Sequence, residues 1–153
     1  MLEHRLATID DAVQISHMLR QRDVDEIYAS HGMTPLDGVT LSFHNSVRCW
    51  VTTLDGVPLA IYGVAPSDHP KYGVPWLLAT DELHRHRKAL LSQSRFGLQE
   101  MHKLFPFLTN FVDERNEDSI KYLKWLGFEF PQRFEQFGYE GRPFWQFIRK
   151  QHV

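Results

Sequence analysis

The spacing of apolar residues changes period several times along the chain, and each change marks an element. Residues 4–10, HRLATID, alternate weakly and end at Asp10, a helix-capping residue type; beyond it Ala12, Ile15, Met18 and Leu19 fall on one helical face. The pattern predicts a strand and then a helix. Residues 23–46 read as a second, broken helix: VDEIYASHG stops at Gly32, and TPLDGVTLSFHNS places Pro35 directly after the candidate cap Thr34. From Val47 the period becomes that of strands, because VRCWVTTL and PLAIYGVA flank Asp55-Gly56, a dipeptide that supplies the positive φ angles of a two-residue hairpin turn.

VPWLLAT, residues 74–80, is a short apolar run suited to a central strand. The segment after it carries Leu83, Leu90, Leu91, Leu98, Met101 and Leu104 at helical spacing, with Gly97 as its weak point. FLTNFVDE predicts a further strand. Asn116 then caps a helix bearing Ile120, Leu123 and Leu126, and Gly127 ends it. FEFPQRFEQFGY and PFWQFIRK form two aromatic strands around Glu140-Gly141. The expected fold is mixed α/β (α+β), order β-α-α-β-β-β-α-β-α-β-β: a mostly antiparallel twisted sheet with helices on both faces. Without linker-like or repetitive tracts, residues 1–153 are expected to form one domain.

Composition narrows the function classes. A formal charge of -2 argues against a surface built throughout for nucleic-acid phosphates. The one cysteine, Cys49, excludes an intramolecular disulfide and reads as a small buried apolar residue. Its His residues are scattered without zinc-like spacing, so no metal site is expected. The N-terminus has no signal-peptide pattern and no stretch is apolar enough to span a membrane, so a soluble protein made in a reducing cytoplasm is expected.

The order of elements, together with NEDSIKYLKWLGFEF, resembles the GNAT superfamily of N-acetyltransferases, in which an Asn opens the helix before a Gly-Phe step and two closing strands. The runs DGVPLAIYG, PWLLATDEL, SIKYLKWLGF and EGRPFWQF look like those of the small GNAT-like internal virion proteins of T7-like short-tailed phages. That second resemblance implies a virion-associated structural or assembly protein, made in the host cytoplasm, whose partners are other virion proteins.

The superfamily resemblance also implies where acetyl-CoA would be held. Its pyrophosphate motif, Gln/Arg-x-x-Gly-x-Gly/Ala, falls on HRHRKA, with His84 at the first position, Arg87 where the first Gly belongs and Ala89 at the tolerated Gly/Ala position. No glycine occurs between Gly73 and Gly97, so backbone N–H groups would have to approach phosphate past the Cβ of Arg87. Asp81 and Glu82 near the helix start oppose an anion there. Side chains of His84, Arg85, Arg87 and Lys88 offer an alternative grip, and Asn116 matches a family position that touches the pantetheine arm, although capping alone explains an Asn there. The family's thiolate donor, a Tyr seven residues after that Asn, is replaced by Leu123, and the neighbouring Tyr122 points about 100° away on a helix. Asp113, with Asp81 and Glu82, is a proton acceptor candidate by position alone.

On these grounds the expectation is a GNAT-like scaffold that has lost acetyl transfer and uses no cofactor; an acetyl-CoA-dependent enzyme with catalytic Tyr122 and Asp113 is the alternative. The late aromatics, Phe128 to Phe147, exceed what one face of a ribbon buries. They suggest either an oligomer contact through the C-terminal strands or burial on both sheet faces.

Overall fold

The computed structural model describes residues 1–151. The chain runs β1 (Leu2–Leu6), α1 (Ile9–Ser16), α2 (Gln21–His31), α3 (Pro35–Asn45), β2 (Arg48–Leu54), β3 (Val57–Pro66), β4 (Tyr72–Ala79), a 3-10 segment (Asp81–His86), α4 (Arg87–Leu104), β5 (Phe107–Asp113), α5 (Glu117–Trp125), β6 (Glu129–Phe137) and β7 (Arg142–Lys150). All seven strands form one sheet in the order β1-β2-β3-β4-β5-β7-β6. Every pairing is antiparallel except β4 with β5. The expected mixed, mostly antiparallel architecture is therefore present, with one helix more than the sequence pattern separated.

Both sheet faces are covered, which is why β2 and β3 read as nearly continuous apolar runs. Ala12 and Ile15 of α1 and Val39 of α3 pack on Cys49 and Ile61. On the opposite face Leu98 and Met101 of α4 pack on Trp50, Tyr62 and Val64, which alternate with the first set along the same strands. The aromatic surplus divides the same way. Phe128, Phe144 and Phe147 are buried and Phe130, Phe134, Phe137 and Trp145 half-buried, leaving Tyr139 as the exposed ring among them.

Local chemistry explains most boundaries. Asp55 (φ 49°) and Gly56 (φ 84°) make the β2–β3 turn in the left-handed region their sequence predicts. Thr34 caps α3 through the Asp37 N–H, with Pro35 at the first helical position. The cap of α1 is Thr8, not the expected Asp10, because Thr8 and Asp11 bond each other's backbone reciprocally. The predicted broken helix is two helices, separated at Gly32 (φ 67°). The helix expected from Asp81 starts later: residues 81–86 wind more tightly, and α4 proper begins at Arg87.

Gly97 sits where α4 touches the sheet. A Cβ there would lie 2.6 Å from Cε2 of Tyr62, a ring stacked on Trp50 at 5.3 Å. Gly97→Ala is therefore expected to destabilise the protein by about 1–3 kcal/mol despite the better helix propensity of Ala, read as a lower urea midpoint at unchanged slope. An unchanged or higher midpoint would contradict this packing.

Candidate active site

Strands β4 and β5 pair only at Tyr72↔Phe107 and Gly73↔Leu108, then diverge. Diverging parallel strands leave two backbone edges without a partner, and unpaired N–H and C=O groups in an interior are costly. The chain answers this in three ways. Pro75 has no N–H to satisfy, and its carbonyl accepts from Nδ2 of Asn110 at 2.8 Å, across the base of the opening. Nearer the far end, Ala79 donates its N–H to Oδ2 of Asp23 at 2.8 Å, and Asp113 donates its N–H to Oε1 of Glu26 at 2.9 Å.

Asp23 and Glu26 are three residues apart on α2, so they share one helix face. Helix α2 thus lies across the top of the split with one carboxylate on each strand. Along β4, Leu77 lies midway between Pro75 and Ala79. The two-residue alternation of a strand directs its N–H and C=O into the opening.

A cavity of about 550 Å³ passes through this split from one face of the sheet to the other. On the α2–α3 side it is lined by Glu26, Ile27, Trp76 and Phe111, and on the α4–α5 side by Ser94, Leu98, Tyr122 and Leu123.

Among the described residues, Glu26 is its one lining carboxylate. Burial pushes the Glu26 pKa up to about 7, and the neighbouring Asp23 adds to the effect. The Asp113 N–H and the Asn116 side chain, both bonded to the carboxylate, hold it back from rising further. Asp23, buried deeper, is also raised by burial, against the attraction of the Arg20 guanidinium bonded to it at 3.0 and 3.1 Å.

On the opposite side Tyr122 contacts Ser94. Ser94 Oγ donates to the Leu90 carbonyl at 2.6 Å, which leaves the Tyr122 hydroxyl as donor to Ser94. Burial pushes the Tyr122 pKa up to about 12, so the phenol keeps its proton at neutral pH.

The sequence candidates are placed as follows. Tyr122 and Leu123 both line the cavity, since its wall wraps around α5, and the 100° offset does not remove Tyr122 from it. Asn116 caps α5 through the Ser119 N–H at 3.4 Å and bonds Glu26, so capping and site are not alternatives here. Asp113 is absent from the lining. Its carboxylate is bonded to the Arg115 side chain at 2.6 and 3.1 Å, and its backbone serves Glu26 instead. Cys49 is buried in the α1–α3 core with its thiol pushed up to about 12 by burial.

In the basic segment, His84 turns back to the Asp81 carbonyl, and Arg85 and His86 face Glu82 at 3.7 and 4.0 Å. Asp81 and Glu82 belong to the 3-10 segment and not, as expected, to the start of the long helix. The first turn of α4 contains no acidic residue and has no side-chain cap. Its Arg87 and Lys88 side chains are exposed and Ala89 is half-buried. A helix start beside two exposed cations favours an anion there.

Glu26 was invisible to the sequence argument. Its one signal was that α2 has few apolar residues to bury, so the carboxylates of Asp23 and Glu26, in register with Ile27 and Ser30, had to be on the packed face.

No family model and no curated protein matches the chain. Many solved structures do match in fold. Ard1 from Thermoplasma volcanium is 15% identical, with 99% of each chain covered and a TM-score of 0.76. An acetyltransferase of the GNAT family from Streptococcus pneumoniae is 11% identical over 99% of this chain and 100% of its own, with a TM-score of 0.65. A putative acetyltransferase from Salmonella typhimurium, yncA, solved with its cofactor acetyl-CoA, is 14% identical over 99% and 96%, with a TM-score of 0.69.

At these identities the likeness establishes the fold: this chain has the GNAT fold. It also corrects the expected virion-assembly function. Two of these three fold neighbours are described as acetyltransferases, one of them solved with acetyl-CoA, and none of the three is described as a phage or virion protein.

Proposed function

We propose that this protein is an acetyl-CoA-dependent N-acetyltransferase with an atypical pyrophosphate grip. The observation that carries the proposal is the open split between β4 and β5, with Glu26 at one mouth of the through-sheet cavity and Tyr122 at the other.

The residues present fit the cofactor. Leu77 offers an unpaired strand edge to the pantetheine arm, and the uncapped first turn of α4, with Arg87 and Lys88, offers N–H groups and charge to the pyrophosphate. When bound, acetyl-CoA supplies an acetyl group: a carbon–nitrogen bond forms to the amine, the carbon–sulfur bond breaks, and the thiol is released. Glu26, with a pKa of about 7, attracts the incoming ammonium and accepts its proton at neutral pH. The Leu77 N–H is placed to donate to the acetyl carbonyl oxygen as charge develops on it.

Tyr122, whose hydroxyl donates to Ser94, would reach a leaving sulfur only by redirecting that hydrogen bond, and would do so without giving up its proton. Full transfer from a phenol near 12 to a thiolate whose acid form has a pKa of about 8.5 is uphill by roughly 5 kcal/mol. Solvent would supply the proton for the leaving thiolate and would receive the second proton that the amine nitrogen sheds as the amide forms.

Thermal-shift titration tests the proposal. Acetyl-CoA at about 100 times its Kd should stabilise the protein by about 2.7 kcal/mol, a Tm rise of roughly 5–10 °C. The double variant Arg87→Ala/Lys88→Ala should weaken binding at least about tenfold, since each lost charge-assisted contact removes of the order of 1 kcal/mol or more. No shift with acetyl-CoA, together with no thiol release in the presence of amines, rules the function out.

A further inference from the structure

We propose that the acceptor is a small primary amine carried on an aromatic or branched apolar body, with neither a second cationic group nor a carboxylate. The inference rests on the acetyltransferase reading of the same cavity and concerns its α2–α3 chamber.

Ile27, Met33, Leu41, Trp76, Phe111 and Phe137 wall that chamber. Phe111 and Phe137 stack with centroids 4.4 Å apart, and Phe137 lies 4.8 Å from Phe144, so ring surface is the main contact on offer. Charge is scarce. Among the described residues Glu26 is the one carboxylate lining the cavity, and no Lys or Arg lines it. One ammonium therefore finds a partner; a second would be stranded against apolar walls, and a carboxylate would have no Lys or Arg to meet.

Two of the polar groups near the chamber are engaged already. Ser30 Oγ donates to the Glu26 carbonyl at 2.7 Å, and Trp76 Nε1 donates to Ser46 Oγ at 2.7 Å. His31, Ser42 and Asn45 are the other polar side chains on this side of the lining, too few to match an acceptor rich in hydroxyl or amide groups.

Size is limited from two directions. The roughly 550 Å³ must hold the thioester arm as well as the acceptor. The seam between α2 and the β6–β7 turn is closed by backbone bonds, from Tyr139 N–H to the Ser30 carbonyl at 3.1 Å and from Glu140 N–H to the Ala29 carbonyl at 3.0 Å. A Cβ on Gly138 would meet the Ala29 carbonyl at 2.7 Å, so the turn lies directly on the helix. A polypeptide chain has no exit along that seam.

Steady-state acetylation of 2-phenylethylamine, spermidine, L-glutamate and a tetrapeptide opening with Phe separates the classes. The kcat/KM for 2-phenylethylamine is expected to exceed each of the others at least tenfold. Leu41, exposed on α3 and lining the chamber, provides the second arm. Leu41→Glu should shift the ratio of 2-phenylethylamine to spermidine at least tenfold toward spermidine by giving a second ammonium its partner, with the acetyl-CoA thermal shift unchanged as a check on folding. Equal or better use of spermidine, glutamate or the peptide by the unsubstituted protein overturns the acceptor class, as does acetylation of none of them while acetyl-CoA still shifts Tm. A missing acetyl-CoA shift instead brings down the acetyltransferase reading itself.

Discussion

Glu26→Gln is expected to lower kcat by about 10²–10⁴-fold, the usual contribution of a positioned general base, while making the protein more stable above neutral pH. The amide oxygen of Gln can still accept the Asp113 N–H, so the strand edge stays satisfied and the lost group is the proton acceptor.

The stability effect follows from proton linkage. Native Glu26 holds its proton up to about pH 7, whereas the unfolded chain releases it near the ordinary value of 4.5. Folding therefore takes up a proton between those values, and native stability contributed by this group falls as pH rises through that window. Below it, Glu26 is neutral in both states and Gln brings no advantage. Above it, the native protein carries a buried charge that Gln lacks, worth about 3 kcal/mol and several degrees in Tm. Denaturant melts at pH 4 and pH 8 measure the difference. A variant that is less stable than the parent at pH 8, or one that retains activity, would remove Glu26 from its assigned role.

Asp23→Ala should act on stability first. The Asp23 side chain is 4% exposed, pairs with Arg20 at 3.0 Å, and holds the Ala79 N–H. Removing it strands a guanidinium that is itself 12% exposed and orphans a strand-edge donor. Breaking one side of a buried pair in this way costs about 3–5 kcal/mol. The expected readout is a fall in the denaturation midpoint corresponding to that loss. Asp23→Asn, which keeps an acceptor for Ala79, should recover part of it, and a loss below about 1 kcal/mol would mean that the contact to β4 is dispensable.

The elements read most directly were those fixed by local backbone chemistry. Asp55-Gly56, Thr34-Pro35, Asn116 and Gly127 each impose a dihedral or satisfy an N–H within a few residues, and each stands where its sequence placed it. Boundaries set by competition between neighbours were harder. Thr8 displaced Asp10 as a cap because Asp11 completes a reciprocal pair, and the tight turn over residues 81–86 left no periodic trace.

The site was the least legible part, since it is made by tertiary crossing. Glu26 in DEIYAS looks like any exposed helical acid, and only the passage of α2 over two diverging strands gives it a buried partner and a raised pKa. The missing loop glycine dominated the sequence argument for lost function. In the fold, Arg87 takes up ordinary helical angles (φ -57°, ψ -40°) with its side chain exposed, so the position needs no glycine for its backbone angles, while the Cβ that a phosphate would have to pass is still there.

The helix spanning the fork has a mechanical consequence. Bolted to one rail by Asp23 and to the other by Glu26, α2 works as a keystone: the gap can neither zip shut into a continuous ladder nor spread without sacrificing interior bonds. The slot is cut to width before any guest arrives. On the proposed acetyltransferase reading, adaptation on association falls to the visitor, and Glu26 is already at its post because the same residue props the doorway open.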